Sequence, residues 1–141
     1  MMEDQISGLI NHLQHIGIPV TNIVASAAFY NRLGFTNVMQ SAFKTESEPG
    51  TCIMMKNKDT IIELYQQPRQ LLKEIKERTD GHIDHFTFDV DDIDVAFKKL
   101  KDASFKIIEQ EPVFLPFWAK GCKYFNILGP DRERIEFNQI L

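Results

Sequence analysis

Two histidines and two glutamates in this 141-residue chain stand at matched places. His15 opens the alternating run HIGIPV, and His85 opens HFTFDV. Glu63 lies between Ile62 and Leu64, and Glu136 between Ile135 and Phe137. Successive side chains of a β-strand point to opposite faces. In such strands His15 faces away from Ile16 and Ile18, and His85 away from Phe86 and Phe88. Each glutamate likewise faces away from its apolar neighbours. The apolar faces suit packing under helices, and the opposite faces suit the lining of a cavity. If the two sheets face each other, His15, Glu63, His85 and Glu136 converge. Two imidazoles and two carboxylates suit a divalent transition metal with positions left open for water or substrate. Taken singly, a strand glutamate is ordinarily a solvated edge residue and a strand histidine is ordinarily just packed. Recurrence at matched positions sets these four apart.

The matching is an internal repeat. Sliding the chain along itself by the separation of His15 from His85 also places His12 on His82, Val20 on Val90, Ile23 on Ile93 and Phe35 on Phe105. Towards the end of each half the offset grows slightly, placing Ile62 on Ile135, Glu63 on Glu136 and Gln66 on Gln139. The chain is therefore a duplicated module, with a short insertion in the second copy.

The elements that must position the four residues follow from periodicity and breakers. The first strand is HIGIPV; Thr21-Asn22 caps a helix from Ile23 to Leu33, and Gly34 ends it. Strands are expected at about residues 36–43, 51–56 and 60–65, the last two joined by a turn at Asn57-Lys58-Asp59. The second half repeats this order: a strand at 84–90, Asp91 or Asp92 as the cap, and a helix at 93–103. Strands follow near 106–110, 122–127 and 134–139, with a turn at Gly129-Pro130-Asp131. Pro68 opens a linker helix that Asp80-Gly81 closes. The expected fold is α+β: two tandem βαβββ modules, residues 10–67 and 82–141, joined by a linker helix at 68–79 in a single domain. His12 and His82 are expected at strand ends, facing away from the other two histidines. The run from Asp89 to Asp94 lacks the spacing and closing glutamate of an EF-hand, so helix capping accounts for it.

Composition narrows the partners. Sixteen basic against 20 acidic residues give a net charge of -4, which argues against nucleic acid or an anionic membrane. No apolar run approaches the ~20 residues that span a bilayer, and the acidic N-terminus does not read as a secretory signal. Two cysteines, Cys52 and Cys122, are too few for a disulfide framework and read as small apolar fillers. The expectation is a soluble cytoplasmic protein.

HIGIPV with an FYNRLGF helix end resembles the vicinal-oxygen-chelate superfamily, as does DHFTFDVDDIDVAFKKL with GPDRERIEFNQ. This is the glyoxalase, bleomycin-resistance and extradiol-dioxygenase group, and the resemblance runs from about Leu13 to Leu141. It implies paired modules whose curved sheet encloses a metal-binding cleft. Bacterial-type glyoxalase I has the ligand order His, Glu, His, Glu, which maps onto His15, Glu63, His85 and Glu136. Extradiol and fosfomycin-modifying relatives use two His and one Glu. Methylmalonyl-CoA epimerase usually has Gln where Glu63 stands, and bleomycin-binding relatives are metal-free dimers. One departure concerns the thiol. The Arg and Asn that hold glutathione in glyoxalase I correspond to Pro19 and Gln67, and proline cannot hold a carboxylate.

The implied chemistry is a metal-dependent, lactoylglutathione-lyase-like lyase or isomerase acting on a small vicinal-oxygen substrate, with the glutathione adduct in doubt. The cofactor is one divalent ion per site, from nickel, cobalt, zinc, manganese or iron. By resemblance Glu136 is the base that abstracts a proton beside a polarised carbonyl, and Glu63 holds the metal or takes the second proton step. Tyr65, Gln67, Asn138, Phe117 and Trp118 are candidate substrate contacts. The apolar stretch from Val113 to Trp118 is expected as a loop, either a lid or a plug at a dimer interface. A homodimer is expected. An epimerase-like enzyme, an antibiotic-binding dimer without turnover and an iron-dependent oxygenase are the competing readings.

Overall fold

A computed structural model describes residues 2–32, 34–78, 84–128 and 134–141, with side chains from Gln5 onward. Its elements are α1 (Met2–Ser7), β1 (Ile10–Pro19), α2 (Ile23–Arg32), β2 (Thr36–Phe43), β3 (Gly50–Asn57) and β4 (Thr60–Gln66). After a 3-10 turn at Arg69–Leu71 come α3 (Leu72–Lys76), β5 (His85–Val90), α4 (Ile93–Asp102), β6 (Val113–Leu115), β7 (Cys122–Leu128) and β8 (Arg134–Ile140). The α+β class and the twofold β-α-β-β-β order are those expected.

The chain divides into two compact units, His15–Asp84 and Met1–Gln14 with His85–Leu141. In the first, the strand order is β2-β3-β4-β1, with β1 parallel to β4. Ile16 pairs Ile62, Gly17 pairs Glu63, Ile18 pairs Leu64 and Pro19 pairs Tyr65. In the second unit the order is β5-β8-β7-β6, with β5 parallel to β8. Phe86 pairs Ile135, Thr87 pairs Glu136, Phe88 pairs Phe137 and Asp89 pairs Asn138. The two registers coincide once the repeat offset is applied, so the duplication is structural.

Each unit packs its helix on the apolar sheet face. Val20, Ile23, Ile53, Met55, Ile62 and Leu64 form one core, flanked by Ile18, Ala27, Tyr30 and Phe35. Val90, Ile93, Ala96, Leu100, Phe125, Ile127 and Phe137 form the other. Full burial of a side chain such as Leu64 or Phe137 is worth roughly 1.5–3 kcal/mol. Ile6, Leu9 and Ile10 join this second core. The N-terminal segment ahead of His15 thus packs with the C-terminal module, which local sequence did not reveal.

Helix ends repeat as well. Asn22 Oδ1 accepts from the Ala25 amide at 3.1 Å, and Asp92 Oδ1 from the Val95 amide at 3.1 Å, so Asn22 and Asp92 are the caps. From the last strand of each module, Gln66 Oε1 accepts from the Ile23 amide and Gln139 Oε1 from the Ile93 amide. Gly34 (φ 94°) and Ser104 (φ 66°) end the helices left-handed. At both ends the next amide reaches back into the last turn, Phe35 to Tyr30 and Phe105 to Leu100.

Three expectations need correction. Residues 106–110 form no strand; Ile107 makes a single bridge to Ile127, and Glu109 bonds Asn126 there instead. The segment expected as a loop, Val113 to Trp118, holds the strand β6, whose Val113, Phe114 and Leu115 pair with Tyr124, Lys123 and Cys122. His12 lies exposed within β1, not at its end. His82, the Asp80-Gly81 stop and the Gly129-Pro130-Asp131 turn fall outside the described residues. Among those described, no helix is long and apolar enough to cross a membrane.

Candidate functional site

Strand parity sets the site residues on the faces turned from the cores. In the unit His15–Asp84, His15 is 2% exposed, and its Nε2 lies 3.9 Å from Glu63 Oε2. Glu63 sits across from Gly17, two positions beyond His15 along β1. In the other unit, His85 Nε2 lies 3.7 Å from Glu136 Oε1. Both separations exceed a hydrogen bond. Two ligands of one ion at ~2.1 Å bonds sit roughly 3.0–3.5 Å apart, so a small contraction brings each pair into coordinating distance. Imidazole and carboxylate held this way fit a divalent metal.

The carboxylates differ in their surroundings. Glu136 Oε2 accepts from Thr87 Oγ1 and Asn138 Nδ2, each at 3.2 Å, which leaves Oε1 towards His85. Asn138 is itself held: Gln14 Nε2 donates to its backbone oxygen at 3.1 Å and to Asp89 Oδ1 at 2.9 Å. Burial pushes the Glu136 carboxyl above the usual carboxylate range, and His85, Asn138, Thr87 and Arg134 oppose that rise. The row across the sheet reads Thr87, Glu136, Asn126 in this unit. The matching row of the other unit reads Gly17, Glu63, Met54. The two halves keep the histidine and the glutamate and diverge around them, polar in one and apolar in the other.

The remaining candidates divide between the units. Tyr65 is buried and packs edge-on to Phe43, with ring centroids 6.4 Å apart. Gln67 is half-buried just beyond β4. Asn138 and Phe117 are each 3% exposed. Trp118 has a left-handed backbone at φ 66°, and its buried Nε1 has no hydrogen-bond partner among the described residues. Cys52 and Cys122 are buried thiols. Sequence reasoning missed Gln14, Asn126 and the hydroxyl of Thr87. Their position beside repeated site residues was visible, but their hydrogen bonds span up to 124 positions.

The glyoxalase/bleomycin resistance protein/dioxygenase family model matches residues 12–137. The chain belongs to that superfamily. The uncharacterized protein YwbC of Bacillus subtilis (strain 168) is a relative, 33% identical over 141 residues, covering 93% of this chain and 99% of that protein. The superfamily fold recurs in solved structures. Methylmalonyl-CoA epimerase from Mycobacterium tuberculosis superposes with a TM-score of 0.74 at 17% identity, over 94% of this chain and 90% of that one. The hypothetical protein BH1468 from Bacillus halodurans C-125 does so with a TM-score of 0.70 at 25% identity, over 92% and 94%. The epimerase likeness is one of fold.

Proposed function

We propose that this superfamily member is a metal-dependent isomerase or lyase of the glyoxalase I kind, acting on a small substrate with adjacent oxygens. His15, Glu63, His85 and Glu136, the set the resemblance implies, are the proposed ligands of one divalent ion. The observation that carries the reading is the twofold His–Glu pair, at the same register in both modules and on the face turned from the core, with His15, His85 and Glu136 buried and Glu63 half-buried. A bound ion supplies a Lewis acid for the substrate carbonyl.

The chain's own residues supply the proton transfer. Glu136 is the proposed base, because Thr87 and Asn138 orient its carboxylate on the site face. Its burial favours taking up a proton, as removal of one from carbon requires. Glu136 then returns the proton to the neighbouring carbon or to the same one, while Glu63 holds its place or takes the second step. Pro19 stands where a glutathione-binding arginine would, so a substrate other than the glutathione adduct is proposed. Metal analysis of the purified protein, followed by a screen of hemithioacetals, acyl-CoA epimers and α-hydroxycarbonyl sugars, tests the reading. About one divalent ion per chain and turnover lowered at least ~10²-fold by Glu136→Gln are expected. Full turnover by metal-free protein would sink the proposal.

A further inference from the structure

Asn126 is 6% exposed and stands across from Glu136 in the β7–β8 ladder. Its own backbone bonds turn the other way, since Asn126 O accepts from the Ile108 amide at 2.9 Å. Asn126 and Glu136 are therefore a non-hydrogen-bonded pair, the kind whose side chains approach closest, at Cβ separations of ~4.5–5.5 Å on one face. Phe125 and Ile127, its neighbours in sequence, point into the core. Asn126 thus shares the face that carries Glu136, Thr87 and His85.

Glu109 fixes the orientation of the amide. Asn126 donates its backbone N–H to Glu109 Oε1 at 2.6 Å and its Nδ2 to Glu109 Oε2 at 3.0 Å. An ionised carboxylate only accepts, so the amide cannot turn over without setting oxygen against oxygen. Asn126 Oδ1 is left buried with no hydrogen-bond partner among the described residues. A buried carbonyl oxygen without a donor is destabilising, and a donor from outside the chain removes that cost. The corresponding residue of the other module is Met54, 1% exposed, with no such acceptor to offer.

We propose that Asn126 Oδ1 accepts a hydrogen bond from the substrate, and that it selects substrates bearing an O–H or N–H at or next to their chelating oxygens. The substrate class is then an α-hydroxycarbonyl compound. A carboxylate at that position, as in a malonyl thioester, is disfavoured because two acceptors would meet. This inference rests on the metal reading above.

Two small chelators differing in one donor test it: acetohydroxamate, which has an N–H, and N-methylacetohydroxamate, which lacks it. Each is titrated calorimetrically into zinc-loaded protein, with zinc content measured in parallel. The wild type is expected to prefer the N–H compound about tenfold or more, the discrimination that one buried hydrogen bond of ~1.4 kcal/mol supplies. Asn126→Met should reduce that ratio to within about twofold, with zinc content unchanged. Glu109→Gln is the second variant, should the first not fold. It leaves Asn126 in place but lets the amide turn its oxygen to the new Gln donor, and it too should lose the preference. Equal binding of both compounds by zinc-loaded wild type, or a preference that survives both substitutions, would overturn the role of Asn126 and leave the metal site standing. Wild type that takes up no zinc or other divalent ion would overturn the metal reading, and this inference with it.

Discussion

At the scale of single residues, the two halves diverge around their matched glutamates, and the proposal that Glu136 is the base rests on that divergence. Glu136 has Thr87 and Asn138 as donors and Asn126 beside it, whereas Glu63 has Gly17 and Met54 across its row. A carboxylate that is oriented by donors can act from one oxygen, and mutation should expose that. His15→Ala or Glu136→Ala is expected to empty the metal site, read by elemental analysis of the purified variant, because each removes a proposed ligand. His12→Ala should keep full metal content, since His12 is exposed on β1. Variants of His15 and Glu136 that both retain the ion would show that the ligands have been misassigned.

The elements repeat one design of helix termination with different residues. Gly34 and Ser104 occupy the same left-handed position after α2 and α4. A non-glycine residue there is strained by ~1–2 kcal/mol, partly offset by the entropy that glycine loses on folding. Ser104→Gly is therefore expected to raise stability by about 0.5–1 kcal/mol in urea unfolding, and a decrease would contradict the shared cap geometry. At the other end of α4, Gln139 from β8 and Asp92 both accept from the first-turn amides. Gln139→Ala should cost about 1 kcal/mol, since one buried-end amide loses its acceptor. The same change at Gln66 should act alike on α2. Equal costs at the two positions would show that the duplication is energetic as well as geometric.

For the whole molecule, the expectations concern assembly and substrate. A homodimer is expected, and sedimentation at micromolar concentration checks it. Co-refolding His15→Ala with His85→Ala chains then asks whether a site takes its ligands from one chain or two. Sites shared between chains regain one intact set per mixed dimer, and metal binding partly returns. Sites within one chain all lack a ligand, and nothing returns. With Pro19 in place of a carboxylate-binding arginine, turnover of the glutathione–methylglyoxal adduct should fall below the usual enzyme floor of ~10⁴ M⁻¹s⁻¹ in kcat/KM. A value near ~10⁶ would mean that other residues hold the tripeptide.

The sequence by itself determined the duplicated module, the order of its strands and helix, and the face on which His15, Glu63, His85 and Glu136 lie. These rest on a period of two along each strand and on local breakers such as Gly34, so neighbouring residues suffice to read them. The parallel registers of β1 with β4 and β5 with β8 follow once the repeat offset is known. Only the tertiary structure decided the rest. A short apolar segment pairs where an edge is open, so β6 formed at Val113–Leu115 and not at residues 106–110, where Glu109 turns in to bond Asn126. Residues Ile6, Leu9 and Ile10 joined the core of the distant half because apolar burial carries no sequence address. The network from Gln14 through Asn138 to Glu136 depends on groups up to 124 positions apart, and no local pattern encodes which of them will meet.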